Sequence, residues 1–440
     1  MTAKPTFVPY GYKPSEVGLI PEDWDVKPIH KLADKIMVGI ASAATHAYRT
    51  RGVVLFRNQN IKPGYLDDSD VLYIDQGYEE TFRNKRLMGG DLLTARTGYP
   101  GTTSIVPVEY EGSQSFTTLI TRIRRSFVDS EYLCCYINSE AGQAFFDQNQ
   151  TGGSQKNVNA GTLKHLPIPL PPTLAEQEAI AEALGDADAW IESLEQLVAK
   201  KRQLKQAAMQ QLLTGKTRLP GFEGAHTLNQ TELGMLPIDW QLCPLRDLID
   251  ASRGIRYGIV QPGRYDPNGR FMIRGQDYSE SKGWASPMAV FRVSDSIEQR
   301  YRNARVKSGD LIMTIVGYCG HVEMVPEWLD GANLTQTTAR IAIRKDTAIP
   351  AFCKYMLQSQ IGKKQVALNV KGAAQPGLNC GDVEKFLVAI PATLAEQVAI
   401  ARVLTDMDAE ITAIEAKVAK ARQIKQGMMQ ELLTGRTRLV

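Results

Sequence analysis

The sequence lacks the features of several large protein classes. Among its 440 residues, 51 basic side chains nearly balance 48 acidic ones, so a net charge of +3 gives no indication of nucleic-acid binding. No apolar run reaches the roughly 18 residues that a membrane span needs, and the first residues lack the apolar core of a secretory signal. The six cysteines form no C-x-x-C pair, which disfavours a zinc site or a disulfide framework. We therefore expect a cytoplasmic protein of two or three domains, with no membrane contact and no bound metal.

A complete phosphate-binding loop is also absent, although one segment imitates its end. Residues 212–219 read LLTGKTRL, in which T-G-K-T matches the last part of a nucleotide-binding loop. That loop needs another glycine upstream, at the position where this chain has Gln210. Residues 432–439 read LLTGRTRL, with Arg436 in place of Lys216. The segment is better explained as a repeated helix ending than as an NTPase site.

The same ending occurs twice because the chain is a tandem repeat. Residues 173–219 align without gaps with 393–439, with about 30 identities in 47 positions. Weaker matches extend upstream, where SEVGLIPEDW resembles TELGMLPIDW and GDLLTARTGYPG resembles GDLIMTIVGYCG. The order along the chain is globular unit, helix, globular unit, helix. The segments that we infer are 1–165, 166–219, 220–385 and 386–440.

Each strongly repeated segment is predicted to form one helix of about 40 residues, roughly 60 Å long. Thr173 with Glu176, and Thr393 with Glu396, form T-x-x-E capping boxes at the starts, and the glycine of LLTG ends each helix. Apolar residues at alternating four- and three-residue spacing are typical of a coiled-coil seam. They are Ile180, Leu184, Ala187, Ile191, Leu194 and Val198 in the first helix and Ile400, Leu404, Met407, Ile411, Ile414, Val418 and Ala421 in the second.

The charge distribution predicts how the two helices pair. In the first helix, acidic residues occupy 176–195 and basic residues occupy 200–218; the second helix repeats this order, with Arg402 and Glu431 as exceptions. Parallel helices would place acid against acid, whereas antiparallel helices place acid against base. We therefore predict an intramolecular antiparallel coiled coil with pseudo-two-fold symmetry. Its length would separate the two globular units by about one turn of duplex DNA, roughly 34 Å.

The globular units are predicted to be mixed α/β. Strand-like runs such as GVVLF and VLYID are separated by glycine-rich loops, and helical stretches such as YLCCYINSEAGQAFF follow them. The predicted fold class is therefore α/β, with two mixed α/β domains in tandem, each followed by a long helix.

The repeated motifs resemble those of a known family. LPIPLPPTLAEQ, the long helix ending LLTGKTRL with its duplicate, and the pair GLIPEDW and GMLPIDW are similar to motifs of the specificity subunits of type I restriction-modification systems. The resemblance covers essentially the whole chain. It implies that each globular unit is a target-recognition domain for one half of a split site in double-stranded DNA, and that the helices set the spacer.

The same resemblance implies partners and a division of chemistry. Two methyltransferase subunits would dock on the helices, and restriction/translocase subunits would complete the restriction enzyme. S-adenosylmethionine, ATP and Mg would be bound by those partners. This chain would carry no cofactor and no catalytic centre.

The residues themselves also indicate a chain without catalysis. The [DNS]-P-P-[YFW] motif of adenine methyltransferases does not occur. PEDWDVK at 21–27 is similar to a nuclease motif, but its repeat PIDWQLC lacks the last acid and the lysine, so Trp24 and Trp240 are better explained as packing aromatics. Two alternatives stay open: a fused methyltransferase or nuclease, and a coiled-coil scaffold with no nucleic-acid role.

Comparison of the two repeats predicts the residues that contact DNA. Phosphates carry no sequence information, so shared residues are expected in the framework or at phosphates, and base contacts where the copies differ. Arg57 and Arg274 are shared and belong to the first group, and Tyr99 and Tyr318 in GY-x-G loops are expected to be structural. Arginine suits guanine, and asparagine or glutamine suits adenine. The divergent candidates are Tyr48, Arg49, Arg51, Arg96, Thr102, Thr103, Ser154, Gln155, Lys156 and Asn157 in the first domain and Arg253, Arg256, Tyr257, His321, Gln336, Lys371 and Gln375 in the second.

Overall fold

The computed structural model describes residues 8–42, 44–149, 157–223, 227–279, 283–372 and 376–439. The helices are α1 (Ile29–Leu32), α2 (Gln76–Glu80), α3 (Ser130–Asn138), α4 (Glu140–Asn149), α5 (Ala160–Lys164), α6 (Leu174–Leu212), α7 (Asp295–Glu298), α8 (Pro350–Gln358), α9 (Gln360–Asn369), α10 (Cys380–Val383) and α11 (Leu394–Leu432). The strands are β1 (Tyr12–Ser15), β2 (Gly18–Pro21), β3 (Asp25–Pro28), β4 (Ala33–Val38), β5 (Tyr48–Arg49), β6 (Val53–Phe56), β7 (Leu72–Ile74), β8 (Leu92–Thr94), β9 (Thr103–Ile105), β10 (Gln114–Ser115), β11 (Leu119–Ile123), β12 (Pro167–Leu170), β13 (Leu228–Thr231), β14 (Gly234–Pro237), β15 (Trp240–Pro244), β16 (Arg256–Tyr257), β17 (Arg270–Ile273), β18 (Tyr278–Ser279), β19 (Gly283–Trp284), β20 (Arg292–Val293), β21 (Leu311–Thr314), β22 (Val322–Met324), β23 (Asn333–Leu334), β24 (Thr338–Ile341) and β25 (Leu387–Pro391).

Packing divides the chain into two units. Unit 1 contains Met1–Glu195 and Ala416–Val440, and unit 2 contains Gln196–Glu415. The segments inferred from the sequence end at 165, 219 and 385, because those ends follow the repeat. The boundaries between the two units fall instead inside the long helices α6 and α11. The reason is burial: each globular part covers its apolar surface with the start of one long helix and the end of the other.

Unit 1 contains two four-stranded sheets, with strand orders β10-β6-β7-β5 and β4-β11-β8-β9. The pair β10 and β6 is parallel, and the other neighbours are antiparallel. The strand Leu92–Thr94 is buried at every position, which is typical of a strand covered on both faces. Of the first-domain candidates, Tyr48 and Arg49 lie on β5 and Thr103 lies on β9, whereas Arg51, Arg96 and Thr102 lie in the connecting loops.

Unit 2 repeats this strand order. Its sheet β16-β24-β21-β22 corresponds to β4-β11-β8-β9, and its sheet β20-β17-β23 corresponds to β7-β6-β10. Unit 2 also has a hairpin, β18 with β19, in which the rings of Tyr278 and Trp284 pack with centroids 5.3 Å apart. The prediction of two mixed α/β domains is confirmed.

In unit 1, the first part of α6 and the last part of α11 run antiparallel, as the charge pattern predicts. Asp188 pairs with Lys425, and Glu195 pairs with Arg422, each at 2.5 Å. The residue number therefore rises along α6 as it falls along α11. Ile424, which lies beyond the last residue of the predicted seam, is 41% exposed.

In unit 2, the other parts of the same helices also pair antiparallel. Lys201 lies 2.5 Å from Glu410, and Lys205 lies 2.5 Å from Asp408. Each long helix has 39 residues, close to the predicted length. The predicted seam is largely buried, and its most buried members are Ile180, Leu184, Ile191, Val198, Ile400, Leu404, Ile411, Ile414, Val418 and Ala421.

Each LLTG ending packs on a repeated tryptophan. Gly435 has a φ of 69°, and a Cβ there would lie 2.5 Å from Pro21 and 3.1 Å from the indole of Trp24. Gly215, with a φ of 64°, approaches Trp240 in the same way, with 3.3 Å to the indole. This close approach explains why the helix ending and the IPEDW-type motif are duplicated together, and it confirms both tryptophans as packing residues.

An arginine just beyond each long helix ties it to the start of the other. In unit 1, Arg438 hydrogen bonds to Glu176 and to Asp23, the latter at 3.0 Å. Glu176 is 2% exposed, and these hydrogen bonds raise the pKa of Arg438. We call this triad the unit 1 latch. The unit 2 latch consists of the equivalent residues Arg218, Glu396 and Asp239.

Candidate nucleic-acid interface

Four separated loops of unit 1 meet in one cluster. The amide of Thr117 donates to the carbonyl of Ile40 at 2.9 Å, and the side-chain amide of Asn58 donates to the Thr117 hydroxyl at 3.3 Å. The carbonyl oxygen of that same Asn58 side chain accepts from the amide of Arg96 at 2.7 Å. Asn58 thus links three loops. The unit 1 loop cluster consists of residues 39–42, 57–60, 95–102 and 115–118.

Thr117 has a strained backbone in this cluster. Its φ is 53°, and among the described residues it is the one non-glycine with a positive φ. A β-branched residue in this region is unusual and persists only where the surroundings hold it. Thr117 occupies the place that Gln336 has in unit 2, because each amide donates to an isoleucine carbonyl. The sequence comparison selected Gln336 but missed its counterpart, which an alignment of this loop would have shown.

Unit 2 builds the same cluster with different side chains. Gln336 donates its amide to the carbonyl of Ile259 at 3.0 Å, and Ile315 donates to the carbonyl of Thr337 at 2.8 Å. Gly275 takes the place of Asn58, and a Cβ there would lie 3.1 Å from Thr314. The amide of Ile315, equivalent to that of Arg96, thus bonds to a backbone carbonyl in place of the Asn58 side chain. The unit 2 loop cluster consists of residues 258–261, 274–277, 314–321 and 334–337.

A glycine turn in each cluster holds a tyrosine ring in solvent. In unit 1, Gly98 and Gly101 have φ values of 80° and 92°, and Tyr99 between them is 83% exposed. In the equivalent turn of unit 2, Tyr318 is 95% exposed. The expectation that the tyrosines are structural is therefore wrong, because the glycines shape the turn and the rings pack on little of the protein.

The first-domain candidates fall into two regions of unit 1. Arg96 and Thr102 lie in the loop cluster, partly exposed. Tyr48 and Arg49 form β5, where Arg49 lies 3.5 Å from Asp75, and the exposed Arg51 follows that strand. These residues remain predicted contacts.

Other first-domain candidates are less accessible or lie outside the described ranges. Thr103 is fully buried, and its hydroxyl bonds to the Thr94 hydroxyl at 2.8 Å and to the Gly101 carbonyl. Its side chain belongs to the core, so the structure corrects that choice. Asn157 is half-buried. The amide of its neighbour Val158 donates to the carbonyl of Arg96 at 3.0 Å. The candidates that lie outside the described residues are Ser154, Gln155 and Lys156.

The second-domain candidates differ in their availability. Gln336 in the loop cluster and Arg256 on β16 are exposed, and Tyr257 beside Arg256 is 52% exposed. His321 is half-buried, with its ring centroid 5.1 Å from that of Tyr278. Gln375 lies outside the described residues.

Two cationic candidates of unit 2 are already paired. Arg253 forms two hydrogen bonds to Asp310, at 2.6 and 2.5 Å, and its side chain is 18% exposed. This geometry is that of a framework arginine. Lys371 lies 2.8 Å from Asp382 but is 71% exposed, so this ion pair is weak and Lys371 stays a predicted contact.

The two shared arginines also have carboxylate partners. Arg57 donates to Asp70 at 2.9 Å, and Arg274 donates to Asp277 at 2.7 Å. Each arginine begins a short turn, in which its own backbone amide is also hydrogen-bonded. In unit 1 the amide of Arg57 donates to the side chain of Asn60. Residues shared by the two repeats are expected either in the framework or at phosphates. For Arg57 and Arg274, this geometry favours the framework role.

A polar network around a buried glutamate, which the sequence comparison missed, includes the residue that directly precedes the last loop of each cluster, Gln114 in unit 1 and Asn333 in unit 2. In unit 1, Arg86 forms two hydrogen bonds to Glu79 at 2.7 Å, and Gln114 donates to Glu79 at 2.9 Å. These hydrogen bonds lower the pKa of Glu79 even though burial opposes its charge. The equivalent residues of unit 2 are Glu298, Arg305 and Asn333.

The signal for this network was present in the sequence. GYEETFRNKRLMGGD and SIEQRYRNARVKSGD align without gaps and share the glutamate and the arginine.

In unit 2, burial raises the pKa of Glu298, but the hydrogen bonds from Arg305 and Asn333 outweigh it, and the net pKa is lowered. Both glutamates therefore hold a charge inside the fold.

In the described part of the chain, no group of three or more histidine, cysteine, aspartate or glutamate side chains is placed to hold a metal ion. The helices within the described ranges include none that is both long and apolar enough to cross a membrane. The six cysteines are free thiols.

Solved structures support this fold. A chain from the type I R-M system has a TM-score of 0.58 and 16% sequence identity, covering 95% of this chain and 99% of its own length. The type I restriction-modification S subunit from M. genitalium has a TM-score of 0.55 and 12% identity, covering 93% of this chain and 96% of its own. At these identities the likeness concerns the fold alone.

Curated relatives carry names of the same kind. The type I restriction enzyme EcoBI specificity subunit of Escherichia coli is 29% identical over 293 residues, which span 65% of this chain and 60% of that protein. The putative type I restriction enzyme MjaX specificity subunit of Methanocaldococcus jannaschii is 25% identical over 439 residues, 97% of each chain.

A family model matches both repeats. The type I restriction modification DNA specificity domain matches residues 21–206 and 237–425. These two ranges cover most of the chain and include both loop clusters. This chain therefore belongs to the type I restriction modification DNA specificity family.

Proposed function

We propose that this chain recognises a two-part sequence in double-stranded DNA, with unit 1 reading one half-site and unit 2 the other. The observation that carries the proposal is the duplicated loop cluster. Both units keep the backbone hydrogen bonds of Thr117 or Gln336 to an isoleucine carbonyl and of Gly101 or Gly320 within the tyrosine turn, but their side chains differ. A protein that reads two different half-sites needs a constant support and variable contacts. The family to which the chain belongs supports the same assignment.

The contacts to bases would come from accessible side chains that differ between the clusters and their flanks. In unit 1 these include the exposed Arg51 and the half-buried Thr117, and in unit 2 they include the exposed Arg256 and Gln336. Arginine can donate two hydrogen bonds to guanine, and glutamine can form two with adenine in the major groove. Thr117 and Gln336 occupy equivalent backbone positions, so they form the clearest pair of candidate readers.

The remaining chemistry would belong to other subunits. We propose that α6 and α11 fix the spacing between half-sites and provide docking surfaces for two methyltransferase subunits, which restriction/translocase subunits join. S-adenosylmethionine, ATP and Mg would be bound by those partners. The chain itself would be a non-catalytic, cytoplasmic subunit, and the family resemblance supports this division.

Single substitutions test the assignment of half-sites. The complex with its methyltransferase subunits would be compared for wild type, Arg51→Ala and Arg256→Ala by mapping methylated adenines with long reads. We expect each substitution to relax one half of the motif only, with a loss of about 1–3 kcal/mol of discrimination at the affected position. Arg124→Ala, an exposed arginine of unit 1 that lies 3.0 Å from Asp34 and outside the loop cluster, serves as the matched control.

Other outcomes would assign these residues differently. A uniform loss of methylation at all sites, with the motif unchanged, would show phosphate contacts instead of base contacts. Relaxation of both half-sites by one substitution would contradict the separation of reading between units. Methylation by the purified chain alone would favour a fused methyltransferase.

A further inference from the structure

Tyr99 and Tyr318 form a pair that base-specific reading does not explain. They are 83% and 95% exposed, and they are the same residue in both units. A side chain shared by two readers cannot distinguish their half-sites. A single exposed aromatic residue on a protein surface needs no explanation, but here the same ring is presented by the same turn twice.

The turn that carries Tyr99 is held firmly. The amide of Gly101 donates to the carbonyl of Ala95 at 2.9 Å, and the amide of Thr102 donates to the carbonyl of Tyr99 at 3.2 Å. Gly101 lies directly against the ring of Phe146, where a Cβ would not fit. The backbone beneath the exposed ring therefore has little freedom.

The turn that carries Tyr318 is held by equivalent contacts. Gly320 donates to the carbonyl of Thr314 at 2.8 Å, and the Thr314 hydroxyl accepts from the amide of His321 at 2.9 Å. A Cβ on Gly320 would lie 2.7 Å from Val366, the position that Phe146 occupies in unit 1. Both units therefore fix the turn against a helix and leave the tyrosine outside.

The other side chains of the turns differ. Thr97 in unit 1 corresponds to Val316 in unit 2, and Pro100 corresponds to Cys319. The ring is thus retained in a turn whose neighbours have changed. Rigid support under an exposed aromatic ring lowers the entropy that would be lost when the ring is bound.

We propose that Tyr99 and Tyr318 are sequence-independent contacts to duplex DNA, one in each half-site, made by the ring rather than by the hydroxyl group. This proposal rests on the proposed function. Every base has a face on which an aromatic ring can stack, and an inserted side chain can partly unstack a base step. Because the two residues are 83% and 95% exposed, most of each ring is open to such a contact.

The test uses the complex of the full chain with its methyltransferase subunits. Binding would be measured on a duplex with the mapped motif and on a duplex of the same length without it. Tyr99→Ala and Tyr318→Ala are expected to raise Kd on both duplexes by about 5- to 100-fold and to leave the methylated motif unchanged. Tyr99→Phe and Tyr318→Phe are expected to keep the wild-type Kd.

A matched control distinguishes the rise in Kd expected for Tyr99→Ala and Tyr318→Ala from the effect of removing an exposed tyrosine ring elsewhere on the protein. Tyr10 in unit 1 is fully exposed and lies outside the loop cluster, so Tyr10→Ala should leave Kd unchanged. All variants should keep the wild-type Tm, because the rings bury little surface.

Three results would overturn the proposal. Unchanged binding by both alanine variants would remove the rings from the interface. Relaxed recognition at one base would make the tyrosines base readers, and equal losses in phenylalanine and alanine variants would assign the contact to the hydroxyl group. If the wild-type complex shows no motif at all, the proposed function itself fails, which is a different outcome from any of these.

Discussion

The two units share their interior and differ at their loops. Each has the same strand order, a buried glutamate held by an arginine, and a latch between the end of one long helix and the start of the other. In the loop clusters, Asn58 of unit 1 is replaced by Gly275 of unit 2, and Thr117 is replaced by Gln336. Buried pairs tolerate few exchanges because an unpaired buried group is strongly destabilising, whereas loop residues, which are more accessible to solvent, can change more freely.

In the proposed function, this difference would let one fold recognise two different DNA half-sites. The framework residues act within each unit, so a change in one interior should affect that unit alone. The loop residues act on the ligand, so a change there should alter binding with little effect on folding. The following predictions test that separation.

The largest expected effect comes from breaking a latch. Arg438→Met leaves Glu176, which is 2% exposed, as a buried carboxylate without its guanidinium, and should lower the free energy of unfolding by about 3–4 kcal/mol. Hydrogen exchange should show this loss in unit 1, although the substitution lies at the other end of the sequence from most of that unit.

Arg218→Met is the matched change in unit 2 and should weaken unit 2 instead. Arg436→Met is the control, because Arg436 is 60% exposed and lies 3.8 Å from Glu431. Equal loss of protection in both units from either latch variant would contradict the assignment of each latch to one unit.

A smaller effect is expected from the glycine turns. Gly101→Ala and Gly98→Ala both force a residue with a Cβ to a positive φ, but only the first also meets a packed ring, that of Phe146. Gly101→Ala should therefore destabilise by about 2 kcal/mol more than Gly98→Ala, from overpacking. Thermal unfolding would measure the difference, and equal effects would show that Phe146 can move aside.

Acid should weaken both units through their buried glutamates. The pKa of Glu79 and that of Glu298 are lowered in the folded state. The stabilisation from each is therefore present above the unfolded pKa, near 4.5, and is lost as the pH falls through the lower folded value. Glu79→Gln and Glu298→Gln should flatten the acid limb of a stability–pH curve, and an unchanged limb would exclude these carboxylates as its cause.

The smallest effect is expected along the exposed side of the helix pair. Lys425 lies 2.5 Å from Asp188, which is 56% exposed. Lys425→Gln should lower the free energy of unfolding by about 0.2–1 kcal/mol, less at high salt. Denaturant titration at low and high salt would measure it, and a loss as large as that of a latch variant would show that the pair is not screened by solvent.

The sequence predicted the parts of the fold that depend on repetition and periodicity. The two helices, their glycine ends and their antiparallel direction follow from capping boxes, apolar spacing and charge order, all of which are local patterns. The structure confirms each of them. The roles of Trp24 and Trp240 also followed from the sequence, since the nuclease-like motif PEDWDVK loses its last acid and its lysine in the repeat PIDWQLC, while the tryptophan is kept.

The candidate interface was less predictable because it depends on how distant loops meet. The sequence placed Thr103 among the contacts, but Thr103 and its neighbour Ser104 on β9 are both fully buried, and the Thr103 hydroxyl bonds to Thr94 inside the fold. It also assigned Tyr99 a structural role, because a pattern of glycines indicates a turn without showing where the ring points. The link from Asn58 to Thr117 joins positions far apart in sequence, and no local pattern predicts such a contact.

Methylation mapping with long reads tests the central claim most directly. Cells that carry this chain with its methyltransferase partner would be compared with cells in which only this chain is deleted. The proposed function predicts a split, adenine-methylated motif that is present in the first and absent from the second. The same methylated motif in both, with the partner still expressed, would contradict the assignment of sequence recognition to this chain.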